Sequence, residues 1–170
     1  MSISSLYLKS LFLSMLLILT MPASAQLNMD DQGIKPLDNS ELTMSKRQRD
    51  EIQKLVRENF GPIQLKGDTS ELYLLQKLLD KQLIDKEDTF GLQALGVVLG
   101  DIMAKNLYLN WVSFEDQYGK SRALQYKETD HLLYPVTMIS RRYQNDLPCD
   151  INQLYQDAKD WASQRQSELY

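Results

Sequence analysis

The chain has 170 residues, 43% of them hydrophobic and 25% charged, and its 19 lysines and arginines against 23 acids leave a formal net charge of −4. That acidic surplus disfavours nucleic acid and anionic membrane as partners, since both repel it. A single cysteine and a single histidine exclude an internal disulfide and any site in one chain that needs a pair of histidines or several Cys and His ligands.

Residues 1–25 read as a secretory signal peptide. Lys9 precedes an apolar run from Leu11 to Met21 that is broken only by Ser14 and Thr20, and Pro22, Ala23, Ser24 and Ala25 supply the small residues a peptidase requires. The run falls short of the roughly 20 residues needed to span a bilayer, and no cysteine follows directly to take a lipid. Cleavage is predicted after Ala25, leaving Gln26 first. About 145 residues remain, enough for one domain. No later segment reaches spanning length, so an exported protein is expected, in the periplasm of a Gram-negative bacterium.

Residues 26–42 mix Gly33, Pro36 and several Asp and Asn with isolated apolar positions, the composition of an irregular lead-in. A single α+β domain is predicted over 43–165, followed by a polar tail at 166–170. From about Thr43 the spacing of Ile52, Leu55, Val56 and Phe60 predicts an amphipathic helix that stops at Gly61 and Pro62. Its charges fall at intervals of one turn, as in Arg47 with Glu51 and Lys54 with Glu58, and describe a solvated face. Gly67 to Thr69 form a turn and cap, after which Leu72, Leu75, Leu78, Leu79 and Leu83 predict a second helix to about Ile84. In the acidic segment that follows, Asp88 or Thr89 is the N-cap of a third helix.

From Phe90 to about Leu107 apolar residues run nearly all the way round the helix, so it is expected to be enclosed by the rest of the domain. Gly96 and Gly100 lie on one face and each weakens the helix by about 1 kcal/mol relative to Ala, which predicts a strand or helix crossing closely over them. Asp101 is a charge in this apolar helix, and Lys105 one turn later is its expected partner. A phosphate-loop reading of Gly91 to Gly96 fails, because Val97 and Val98 stand where Lys and Ser or Thr would be needed. The period then falls to two. Trp111 to Asp116, a turn through Gly119, and Arg122 to Lys127 predict a hairpin, with Lys120 and Arg122 meeting Glu115 and Asp116 across the ladder. His131 to Pro135 form a third short strand, giving a three-stranded antiparallel meander. Pro135 suits the first turn of a further helix, and Ile151, Leu154, Tyr155, Ala158 and Trp161 mark a last amphipathic helix.

Few residues offer chemistry. His131 reads as a structural strand residue, since Ser113, His131 and Asp130 lack a strained nucleophile turn. Cys149 reads as an idle thiol, with nothing basic beside it in the sequence, although a bridge to another chain is the alternative. Glu115 and Asp116 alternate across their strand and cannot by themselves pair as acid and base. Thr137, Ser140, Arg141 and Arg142 follow the third strand, where hydroxyls and guanidinium groups suit a carboxylate or phosphate. These four, with Glu115 and Asp116, are the candidate contacts for a ligand or partner. No catalytic set, metal or cofactor is expected, and the oligomeric state is left open.

The pieces LGVVLGD, WV, EDQYG and YPVTMISRR, within about residues 88–145, resemble the bacterial family catalogued as number 3806 in the domain-of-unknown-function series. The resemblance implies a small α+β domain, found in exported and cytoplasmic proteins alike, with no established reaction and no catalytic residues to carry over. It places Gly96, Gly100, Trp111, Glu115, Asp116, Gly119, Pro135 and Arg142 in a shared pattern. The expected function is binding or accessory work with another envelope protein. A carboxylate-based hydrolase using Glu115 or Asp116 with Arg142 is the second reading, and a structural or stress-related envelope protein the third.

Overall fold

The structure, a computed structural model, describes residues 33–168; the predicted signal peptide and cleavage site lie outside the described residues. The elements in chain order are β1 (Gly33–Lys35), α1 (Asn39–Phe60), α2 (Leu72–Asp80), α3 (Thr89–Leu107), β2 (Leu109–Asp116), β3 (Gly119–Tyr126), β4 (Leu132–Leu133), α4 (Met138–Tyr143) and α5 (Ile151–Glu168), with 3-10 turns at Thr69–Glu71 and Pro135–Thr137. The four strands form one antiparallel sheet in the order β1-β2-β3-β4, so the fold is α+β.

Helix α3 is the centre of the core. Leu92, Leu95, Leu99, Ile102 and Met103 are fully buried on it, each contributing about 1.5–3 kcal/mol by leaving water. Around it pack Ile52 and Val56 of α1, Leu75 and Leu78 of α2, Leu124 of β3, Ile139 of α4 and Ile151 of α5. The helix starts where the sequence indicates: Asp88 is the N-cap and its carboxylate accepts from the Gly91 N–H at 2.9 Å. It ends at Tyr108, in the left-handed region at φ 56°, and the chain turns directly into β2.

The glycines of α3 admit a crossing element as predicted. A methyl at Gly96 would lie 2.5 Å from the main-chain oxygens of Pro135 and Val136. At Gly100 it would meet the Trp111 ring and the Pro135 ring. The crossing element is the 3-10 turn that opens on Pro135, with Trp111 of β2 beside it.

Several local expectations are corrected. The segment before Thr43 is not irregular throughout, since Gly33–Lys35 pair with Glu115–Ser113 as a fourth strand. α1 begins at Asn39 because Asp38 caps it: its carboxylate accepts from Ser40 N–H at 2.8 Å and Glu41 N–H at 2.9 Å, while Glu41 accepts from Asp38 N–H at 3.0 Å. α2 stops at Asp80 rather than Ile84, and the turn before it is held by Glu71, whose buried carboxylate accepts from the N–H groups of Lys66 and Gly67. α5 runs on to Glu168, through much of the expected polar tail. On α1, Arg47 lies over the Phe90 ring instead of pairing with Glu51.

Asp101 is also corrected. Its carboxylate accepts two bonds from Arg49 of α1, at 2.6 and 2.7 Å, and one from Trp111 Nε1 at 3.0 Å. Lys105 turns away to Asp68 and to the Lys66 carbonyl. Asp101 thus joins α1, α3 and β2. The forked two-bond geometry is the strong form of a carboxylate pair, and Asp101 strengthens the hold of Arg49 on its proton through that hydrogen bond.

Candidate functional site

The hairpin sets up the site. Strands β2 and β3 pair from Leu109 with Tyr126 down to Asp116 with Gly119, leaving a two-residue turn at Gln117 and Tyr118. The Asp116 carboxylate accepts from the Tyr118 N–H at 2.8 Å, and Gly119 sits at φ 116°. This register places Glu115 opposite Lys120 and Ser113 opposite Arg122. The Lys120 ammonium nevertheless leaves Glu115 for Asp38, and reaches Glu41 at 3.3 Å. The Arg122 guanidinium donates to Ser45 Oγ at 2.6 Å. The predicted cross-ladder pairs therefore do not form: the cap of α1 offers Lys120 closer acids than Glu115, and the register sets Arg122 opposite Ser113 instead of an acid.

Strand β4 covers only part of β3, pairing Leu133 with Leu124 and Leu132 with Gln125. The chain then turns at Pro135 to pack on α3. A cleft of about 460 Å³ remains between the hairpin half of β3 and the segment Tyr134–Arg141. Phe114, Asp116 and Tyr118 line it with Lys120, Ser121, Arg122, Tyr134, Thr137 and Arg141. Tyr134 packs edge-on against Phe114, and its hydroxyl proton is held more tightly by burial, with Asp116 adding to the effect.

Of the six sequence-predicted contacts, Thr137, Arg141 and Asp116 meet in this cleft. The other three do not. Ser140 is buried, 4% exposed, and its hydroxyl faces the Thr137 carbonyl at 3.4 Å. Arg142 donates to the Met138 carbonyl of its own helix at 3.1 Å. Glu115 and Arg142 both lie outside the lining, so the cleft does not bring Arg142 to either acid of the hydrolase reading. Lys120, Arg122, Tyr118 and Tyr134 were missed as site residues, although two cations spaced by two on one strand put both on one face.

The charges of the cleft are unequal in their commitments. Lys120 is neutralised by Asp38 and Glu41. Arg122 has no carboxylate within ion-pair distance among the described residues; burial weakens its hold on the proton, Glu41 opposing this and Arg49 adding to it. Arg141 is exposed, and its guanidinium makes no ion pair or hydrogen bond among the described residues. A second cavity of similar volume between α1 and α3 holds Arg49, Gln53 and Asp101, but these groups are already bonded to one another or to Ile63 and Leu65. Among the described residues no three His, Cys, Asp or Glu side chains gather as metal ligands would, and no helix is long and apolar enough to cross a membrane. Cys149 is half buried; burial raises its thiol above the usual range, although Arg142, seven positions earlier, opposes the shift.

These features define a helical domain wrapped on a short antiparallel sheet, with a polar cleft where the sheet is left uncovered. The chain belongs to the family described as domain of unknown function DUF3806, whose pattern matches residues 71–155. A crystal structure from Bacteroides thetaiotaomicron VPI-5482 at 1.50 Å resolution shares the fold, with a TM-score of 0.68 at 18% identity over 75% of this chain and 48% of that one. The chain thus spans about half the length of that protein. Comparison with curated proteins gives no match.

Proposed function

We propose that the protein is an exported periplasmic binding protein that acts by contact, receiving an anionic group of an envelope partner in the cleft beside β3. The observation that carries this reading is that Arg122 and Arg141, both without a carboxylate partner among the described residues, line one cleft with Tyr118 and Tyr134. Guanidinium forks match carboxylate geometry, and Arg and Tyr are the side chains that contact surfaces favour. Export rests on the signal peptide read in residues 1–25. A photo-crosslinking residue at Tyr118, 88% exposed beside the cleft, is compared in cells with one at Tyr73, 61% exposed on α2. A discrete adduct from Tyr118 that is missing from Tyr73 supports the reading; identical patterns from the two positions overturn it.

A further inference from the structure

Along β3 the main-chain groups of alternate residues point to the same side of the strand. Tyr126 donates its N–H to the His131 carbonyl at 3.1 Å, on the β4 side, so Leu124, Arg122 and Lys120 present their N–H and C=O groups to that side as well. β4 meets β3 only at Leu124 and Gln125, and no strand lies beyond among the described residues. The outward groups of Lys120 and Arg122 therefore face the cleft rather than another strand.

From this edge we infer that the cleft binds an extended acidic peptide segment by strand addition, the segment pairing with the main chain of Lys120 and Arg122 while its carboxylates meet Arg141 and Arg122. Main-chain pairing at an open edge supplies affinity and the flanking side chains supply selection. A short segment suffices on this sheet, since the opposite edge is closed by the three residues Gly33–Lys35 and β4 itself has two. Charge selects the occupant. A second copy of this chain would set its own Arg122 and Arg141 against the first pair, like charge on like, whereas an acidic segment complements them. The inference rests on the binding function proposed above and specifies its ligand.

The test uses the purified protein and a synthetic five-residue peptide of alternating Val and Glu, capped at both ends. Binding is expected to slow hydrogen exchange at the Lys120 and Arg122 amides at least about tenfold, and Arg141→Ala, at an exposed position, to weaken it about tenfold, as loss of a charge-assisted hydrogen bond does. N-methylation of every second peptide amide should abolish binding in one register and spare it in the other. Equal binding by both methylated peptides would overturn strand addition, as would equal binding by a peptide with Lys in place of Glu. Amide protection that instead rises with protein concentration alone, together with a doubled mass in solution, would assign the edge to a second copy. If the peptide does not bind while the Tyr118 crosslink still forms, the strand-addition inference fails and the contact function stands.

Discussion

Replacing Gly96 by Ala tests how closely the Pro135 turn lies on α3. A methyl there would sit 2.5 Å from two main-chain oxygens, where a carbon–oxygen approach of about 3.3 Å is the ordinary limit. The turn must therefore retreat by on the order of 1 Å or the helix must shift. Overpacking of this kind costs about 1–3 kcal/mol, and main-chain neighbours, which cannot swing aside, place it at the upper end. The helix itself gains about 1 kcal/mol when Gly becomes Ala. The net loss is about 2 kcal/mol, a fall in Tm of about 5–8 °C for a domain of this size. Gly91→Ala is a comparison with a different cause, because its methyl would meet the Asp88 carboxylate that caps α3 and the Ile84 side chain, so it should cost about 1 kcal/mol through the cap and leave the Pro135 turn in place. Urea unfolding followed by circular dichroism measures both. A Gly96→Ala protein as stable as the parent would refute the close crossing and with it the placement of the turn that lines the cleft.

Three further outcomes are expected. Asp101→Asn removes the charge that holds Arg49 and should destabilise the domain by about 2 kcal/mol, while Lys105→Met should leave the Arg49 contact intact; urea midpoints of the two variants decide between them. Lys120 holds the Asp38 carboxyl well below the usual carboxylate range, with Ser40 and the Glu41 amide helping, so the stabilisation is fully present above about pH 4 and disappears as pH falls through the lowered value; carbon-detected titration of Asp38 should show this, and Lys120→Met should return it toward the ordinary range. Cys149 should react with iodoacetamide more slowly than free cysteine at pH 8, since burial disfavours its thiolate, and rapid alkylation of the folded protein would contradict that environment.

The sequence carries those parts of the fold whose cause is local. The all-round apolar pattern of α3, the period of two in β2 and β3 and the Asp88 cap each depend on residues within a few positions, and each is found, although β3 starts at Gly119, three residues before the predicted Arg122, because the turn takes only Gln117 and Tyr118. β1 has no such signal. Three residues are too few to show a period, and they are a strand only because β2 offers a free edge beside them. The same distinction separates Lys105 from Arg49 as the partner of Asp101: the helical interval points to the nearer residue, whereas packing of α1 on α3 supplies a better forked donor 52 positions away. In the cleft, Thr137 and Arg141 were recognisable from their place after a strand. The sequence assigns Lys120 and Arg122 to ladder pairing, because nothing in it shows that β4 stops short and leaves their edge open.

The bond from Arg49 to Asp101 has a consequence for rates. Its two groups, on α1 and α3, meet only after a loop of some fifty residues has closed, so the ordering entropy is lost before the contact forms. A contact made that late is absent from the barrier to folding, and its removal should act on the escape rate from the native state. The unfolding arm of the chevron for Asp101→Asn should rise by about tenfold or more, with the folding arm nearly unchanged. By holding three elements together after they have arrived, this carboxylate would set the lifetime of the native state more than the speed of reaching it.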